Sequence, residues 1–389
     1  MMPYSRQNIS EEDITAITDV LKSDYLTQGP KTPEFEKIVS KYCGVKYGCA
    51  VNSATSGLHI ACLALGVGKG DIVWTSPISF VASSNCALYC GASVDFVDID
   101  SLSYNMSISS LEEKLILAKK KGSLPKVVIP VHLSGKSCDM EKIHDLSKKY
   151  GFKIIEDASH AIGSTYKNQK VGSCSYSDIT VFSFHPVKII TTCEGGMCMT
   201  NDPILYNLLL RFRSHGISRQ AKEMKGIPDG SWYYEQLNLG YNYRLNDLQS
   251  VLGISQLKKL DSFVNERNLL VSNYNKLFDN TQIKLPKIES ENYSSWHLYI
   301  IRVNNSKDVN RNSIFEKLRR SGIYVNIHYI PIYRHPFYKA MGYNNKDYPE
   351  AEKYYEEAIS IPLFPGLTLE QQENIKKIIS SPIGHQNLF

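Results

Sequence analysis

The sequence predicts an α/β protein, a mostly parallel sheet flanked by helices with a smaller α+β unit behind it. Three observations carry that expectation. From Tyr47 onward, short strand-like segments alternate with helix-like ones, the rhythm of parallel strands joined by crossover helices. The segment "VVIPV", from Val127, is apolar without alternation, as suits a strand covered on both faces. After about residue 250 the alternation stops and a long helical stretch follows.

Taken in order, "SEEDITAITDVLK" places Ser10 and Asp13 at capping-box spacing before an apolar stripe of Ile14, Ile17, Val20 and Leu21, so a helix begins near Ser10. Strand "YGCAVN", helix "SGLHIACLALG", strand "DIVWTS", helix "FVASSNCALYCG" and strand "SVDFVDI" then succeed one another. The helices "LEEKLILAKKK" and "MEKIHDLSKKYG" alternate with the strands "KVVIPVHL" and "FKIIEDAS". "DITVFSF" and "GGMCMTND" read as two shorter strands flanking a lysine-bearing loop. "SVLGISQLKKLDSFVNERNLLVSNYNKLF" reads as one long helix bridging two domains, residues 1–250 and 251–389. A chain of 389 residues with 42% apolar content is long enough to bury two cores.

A net charge of +5 is spread among many acids and bases, and the single lysine run, Lys119 to Lys121, suits a helix C-terminus better than a nucleic-acid patch. No charged-then-apolar leader is seen, and no apolar run approaches the ~20 residues needed to cross a bilayer. A cytoplasmic protein with neither nucleic-acid nor membrane partners is expected. Nine cysteines without a CxxC pair argue against a disulfide framework, and no His and Cys spacing matches a metal site.

In open parallel sheets, ligands bind beyond the carboxyl ends of the strands. Three such exits carry chemistry. "VNSATSG" sets Thr55 and Ser56 between a strand and a helix, where free N–H groups favour a phosphate; the same residues also suit an ordinary helix cap. "GVGKGD", from Gly66, has the glycines of a phosphate loop but follows a helix and precedes a strand, the wrong order. "IIEDASHAIG" runs a strand into Glu156 and Asp157, and Asp157 can pair with a protonated heterocyclic nitrogen or cap the next turn. His160 can orient that aspartate, pack on a ligand, or be structural. "FSFHPVKIITTCEGG" holds Ser183, His185 and Lys188 among apolar and hydroxyl residues, where desolvation favours a neutral amine able to attack a carbonyl. A phosphate cradle, a pyridinium partner and an imine-forming lysine are the parts that pyridoxal 5'-phosphate needs.

The motifs "NSATSG", "PISFVAS", "EDASHAIGS", "FSFHPVKIITTCEGG", "RSHGI" and "GYNYRLNDLQSVLGISQLKKL" resemble those of the sugar-nucleotide aminotransferases, from "YSRQNI" to "SIPLFPGLT" and thus over almost the whole chain. The resemblance implies a fold type I pyridoxal-phosphate transferase with a seven-stranded sheet. It makes Lys188 the Schiff-base lysine and proton shuttle, Asp157 the partner of the pyridine nitrogen, Phe80 a ring-face contact, and His160, where many relatives have glutamine, a neighbour of the cofactor's hydroxyl or ring. Ala54, Thr55 and Ser183 would hold the phosphate, with Asn242 reaching in from the second subunit of a homodimer. For a sugar nucleotide it points to Tyr4, to Asp24, Tyr25, Leu26 and Thr27, and to Asn326, Ile327, His328 and Tyr329. Each of these also has a packing role open to it. Arg213 and Arg244 can clamp a glutamate carboxylate or join structural ion pairs.

Within that family the motifs are most similar to those of the C4 aminotransferases of pseudaminic acid biosynthesis. This implies transfer from L-glutamate to C4 of a UDP-linked 4-keto-6-deoxy sugar, the alternative being another UDP- or GDP-linked sugar of the bacillosamine or perosamine type. Relatives commonly read Lys-Pro at Lys188–Ile189 and carry a lysine in the segment His328 to Pro331; the second departure bears on which sugar is used. The family's dehydratase branch has histidine at the lysine position, against which Lys188 speaks.

Overall fold

The computed structural model describes residues 1–287, 289–304 and 310–381. Its centre is a sheet of seven strands: β1 (Tyr47–Val51), β2 (Ile72–Thr75), β3 (Ser93–Phe96), β4 (Val127–Ile129), β5 (Lys153–Asp157), β6 (Ile179–Ser183) and β7 (Gly196–Thr200). They lie in the order β1-β7-β6-β5-β4-β2-β3. Only β7 runs against its neighbours, pairing antiparallel with both β1 and β6, while the pairs from β6 through to β3 are parallel. The cause is local: β6 reaches β7 through the loop 184–195 without a crossover helix, and a direct return has to be antiparallel. The mostly parallel, seven-stranded sheet expected from the sequence is therefore present.

Helices cover both faces: α1 (Glu11–Leu21), α2 (Lys31–Cys43), α3 (Ala54–Ala64), α4 (Ala82–Tyr89), α5 (Ile108–Lys121), α6 (Met140–Tyr150) and α7 (Pro203–Arg213). With helices on each side, Val127, Val128 and Ile129 are all excluded from solvent. Helix α1 starts where the capping box places it, the Ser10 N–H donating to Asp13 Oδ2 at 2.9 Å. Helix α5 closes on Lys119 to Lys121 with Gly122 in the left-handed region (φ 64°), a cation-rich, glycine-stopped C-terminus.

The long helix expected after Ser250 is two helices, α8 (Asp247–Leu257) and α9 (Leu260–Leu277), broken at Lys258 and Lys259. The break separates two packing tasks. Helix α8 lies on α1 and α2, and the Lys259 ammonium is drawn to Asp13 Oδ2 (2.6 Å) and Ser10 Oγ (2.9 Å) at the start of α1. Helix α9 gives Leu260, Phe263 and Val264 to the core beneath β6 and β7. It gives Leu270, Val271 and Tyr274 to a second core, around an antiparallel sheet of β8 (Ile283–Lys284), β9 (Tyr299–Val303) and β10 (Ala358–Ile361). Helices α10 (Arg311–Arg320) and α11 (Leu369–Ser380) cover that sheet.

The first residues join this second sheet region. Met2 N–H donates to Gly322 O and accepts through its carbonyl from Tyr324 N–H (2.8 Å each), and Leu363 N–H donates to Tyr4 O at 3.0 Å. That pairing carries the Tyr4 side chain to the carboxyl edge of the large sheet. Among the described residues no helix is long and apolar enough to cross a membrane.

Candidate active site

A cavity of about 430 Å³ opens where β5 and β6 end and α3 begins. All three strand exits singled out in the sequence meet there. Ser53 caps α3, its Oγ accepting from Ser56 N–H at 3.1 Å. The N–H groups of Ala54 and Thr55, in the first turn, lack intrahelical acceptors and line the cavity. Strand β7 can pass beside this helix start because residue 196 is glycine: a Cβ there would come within 2.6 Å of the Ala54 nitrogen. The result is a row of donors at the positive end of a helix, with Thr55 and Ser183 hydroxyls beside it, a cradle suited to a phosphate dianion.

Asp157 ends β5 and is fixed on both carboxylate oxygens. Oδ2 accepts from Ser83 Oγ at 2.6 Å, and Oδ1 accepts from Ser159 N–H (3.1 Å) and Ser159 Oγ (2.6 Å). Ser79 Oγ lies 2.6 Å from Ser83 Oγ, so with the Ser83 proton committed to Asp157, Ser79 donates to Ser83. These serines were missed in the sequence. In "PISFVASSN" Ser79 and Ser83 stand one helical turn apart, but their burial and the carboxylate they serve are set by the fold and not by their neighbours in sequence.

Lys188 sits in the loop between β6 and β7. The loop is pinned by Phe184 N–H to Gly195 O (2.9 Å), Thr192 N–H to Phe184 O (3.0 Å) and Thr191 Oγ to Phe184 O (3.0 Å), with Ile189 and Ile190 buried beneath it. No ion pair reaches the Lys188 ammonium among the described residues. Burial brings its pKa down to about 8, the Asp157 carboxylate acting weakly in the other direction. At that value roughly a tenth of the amine is uncharged at pH 7 and about half at pH 8, available for attack on a carbonyl.

His160 is buried between Ser134 and Tyr329. Ser134 N–H donates to Nδ1 at 3.3 Å, Nε2 lies 3.1 Å from Tyr329 Oη, and the His297 ring packs at a tilt of 51° with its centroid 4.4 Å away. Burial, reinforced by the nearby Lys188 cation, holds His160 well below the ordinary imidazole range. His328 is likewise pushed down to about 3 by burial, and its Nδ1 meets Ser360 Oγ at 2.8 Å. Tyr4 packs on His328 with ring centroids 5.1 Å apart, and Asn326 completes this wall. Phe80, 59% exposed, lies across the mouth, 6.3 Å from the Tyr329 ring.

Several residues singled out for a ligand stand elsewhere. Asp24 to Thr27 are exposed in the turn between α1 and α2, where Leu26 O accepts from Asp247 N–H at 3.0 Å. Tyr25 lines a larger groove, about 650 Å³, between α1, α2 and α8, which contains none of the three strand exits. Asn242 is exposed and outside the cavity, as is the half-buried Ile327. Arg213 is engaged by Glu36 Oε1 (2.5 Å) and Ala50 O (2.9 Å), the ion-pair role of the two open to it.

An anion cradle, an anchored aspartate and a desolvated lysine around one cavity are what a pyridine cofactor with a phosphate and an aldehyde requires. The chain matches the DegT/DnrJ/EryC1/StrS aminotransferase family over residues 7–380. It belongs to that family. As a DegT/DnrJ/EryC1/StrS aminotransferase it depends on pyridoxal 5'-phosphate, and the fold type I architecture implied by the motifs is the one observed. The chain is 40% identical over 382 residues to the UDP-4-amino-4,6-dideoxy-N-acetyl-beta-L-altrosamine transaminase of Campylobacter jejuni, covering 98% of this chain and 97% of that one. Among solved structures it resembles Helicobacter pylori PseC, an aminotransferase involved in the biosynthesis of pseudoaminic acid, with a TM-score of 0.87, 34% identity, and 97% and 98% of the two chains covered. Spr1654 of Streptococcus pneumoniae, described as a sugar aminotransferase and solved in its PMP form, gives a TM-score of 0.88 at 31% identity, covering 97% of this chain and 98% of that one.

Proposed function

We propose that this aminotransferase takes the amino group of L-glutamate and delivers it to C4 of a UDP-linked 4-keto-6-deoxy sugar, forming UDP-4-amino-4,6-dideoxy-N-acetyl-β-L-altrosamine for pseudaminic acid biosynthesis. The observation that carries this is the end-to-end identity with the Campylobacter jejuni transaminase of that name. The cavity supports it. The wall made by Tyr4, Asn326, His328 and Tyr329 is neutral and dense in hydrogen-bonding groups, a surface for a hexose ring rather than for a charged amino acid side chain.

Pyridoxal phosphate, when bound, supplies an electron sink for the carbon that loses a proton. The chain supplies the rest. The first turn of α3, with Thr55 and Ser183, binds the phosphate. Asp157, held by Ser83 and Ser159, faces the ring nitrogen, and Phe80 and His160 pack at the ring. Lys188 would anchor the cofactor through its Nζ and, once released, would carry the proton between the substrate carbon and the cofactor carbon in both halves of the reaction. Asn242 acts across a homodimer, which explains its exposed position in its own chain. The exposure of Ile227 (93%), Leu239 (76%) and Trp232 (72%) on the same excursion supports a covered partner face there. A cytoplasmic setting is supported by the nine free thiols.

The test is incubation with glutamate and a panel of UDP- and GDP-linked 4-keto sugars, the products identified by NMR. Amination of the L-arabino-configured UDP sugar is expected; preference for a D-xylo or GDP-linked substrate would overturn the substrate assignment. Lys188→Ala should lose both turnover and the near-visible absorbance of the lysine-bound cofactor.

A further inference from the structure

The hydrogen bonds around His160 have only one consistent direction. A backbone N–H can only donate, so the contact from Ser134 N–H makes Nδ1 an acceptor with no proton of its own. Burial and the neighbouring Lys188 cation keep the ring neutral, so its single proton must sit on Nε2. That proton points at Tyr329 Oη, 3.1 Å away. Tyr329 Oη is thereby an acceptor toward His160, and its own proton is left over. Burial raises the Tyr329 pKa, so the phenol keeps that proton. His160 is its one hydrogen-bond partner among the described residues, and the residue lines the cavity.

We propose that Tyr329 is a catalytic residue that donates a hydrogen bond to the keto oxygen of the sugar being aminated, and that His160 is the positioning residue that aims it. The proposal rests on the sugar-amination reading given above. The chemistry favours a neutral donor. A carbonyl under attack by an amine gathers negative charge on oxygen, and a donor fixed in advance in a site shielded from water stabilises that charge without reorganisation. The keto oxygen leaves as water and needs protons to do so, and no cationic side chain other than Lys188 lines the wall. The tautomer of His160 decides whether the Tyr329 proton turns into the cavity or back into the protein. With Nδ1 protonated instead, Ser134 N–H would face another N–H, and the phenol would donate to Nε2.

Three measurements test this. In cofactor-free protein carrying 15N-labelled histidine, the resonances lost in His160→Gln should report a bare Nδ1 and a protonated Nε2 between about pH 6 and 8. A protonated Nδ1 overturns the proposal. In the holoenzyme, Tyr329→Phe should leave the glutamate half-reaction within about threefold and slow the sugar half-reaction by roughly 10²-fold, with sugar-nucleotide affinity little changed. Equal losses in both halves would instead make the hydroxyl a cofactor ligand. Third, the ratio of the sugar to the glutamate half-reaction rate, which cancels the ring packing that His160 gives to both halves, should fall in His160→Leu as it does in Tyr329→Phe. His160→Gln should recover most of that ratio, because an amide also offers an acceptor and a donor, and in the Tyr329→Phe/His160→Leu double variant the ratio should be no lower than in Tyr329→Phe alone. Additive losses overturn the relay. A wild type inert toward every keto sugar overturns the proposed function and this inference together; an active wild type with an unaffected Tyr329→Phe overturns the inference alone.

Discussion

Lys188 owes its reactivity to its surroundings rather than to any bond it makes. Its ordinary pKa is 10.5 and burial brings it to about 8. Between those values the unfolded chain carries a proton that the folded chain has released, so this group makes stability rise with pH across that window. In cofactor-free protein, melting temperatures measured from about pH 8 to 10.5 should therefore climb more steeply for wild type than for Lys188→Met; identical slopes would mean an amine as basic as a surface lysine. Ser83 gives a second prediction at this scale. Its hydroxyl donates to the buried Asp157, and Ser83→Ala should cost about 1.5–3 kcal/mol in urea unfolding and weaken cofactor binding, since a hydrogen bond to a charged acceptor is lost. The lysine and aspartate could be read from the sequence because their neighbours are local. The serines could not, because Ser83 is 74 residues from the carboxylate it serves.

At the scale of elements, the site depends on how closely a strand and a helix approach. Gly196 lets β7 pass the start of α3, and an added Cβ would meet backbone atoms that cannot swing aside. Gly196→Ala should push the helix start away, costing about 1–3 kcal/mol of stability and lowering cofactor affinity at least tenfold, while Gly68→Ala, where a Cβ would meet open space, serves as a control for glycine substitution as such. Strand β5 shows the limit of reading a motif. "IIED" announces a strand end carrying two carboxylates, but its pleat sends them to opposite faces. Glu156 faces away from the cavity to His132 (2.6 Å), Ser177 (2.5 Å) and Thr180 (2.9 Å), and Asp157 faces into it. The break between α8 and α9 was not legible either. Both halves are good helix, and only the pull of Asp13 on Lys259 distinguishes the position where they part.

For the whole molecule, the alternation of strands and helices was enough to establish the sheet, because each crossover is a local event repeated along the chain. What joins the two sheets is not local. The Tyr4 wall depends on pairings between residues more than 300 positions apart, and Asp24 to Thr27 and Asn242 lie on the surface, outside the cavity where the three strand exits meet. In the dimer proposed above, Asn242 completes the partner's site. Leu239→Asp should shift sedimentation toward monomer and lower activity in proportion, with activity recovering as protein concentration is raised; a fully active monomer would refute a shared site.

The pairing of Met2 with Gly322 and Tyr324, and of Tyr4 with Leu363, has a consequence for synthesis. During translation the large sheet can assemble once Thr200 has emerged, yet Tyr4 has nothing to pair with until Leu363 is made. Residues made more than 300 positions ahead of their partners are thus among the last to be placed. From the emergence of Thr200 to that of Leu363 the nascent chain carries a nearly finished cofactor cradle with one wall still open.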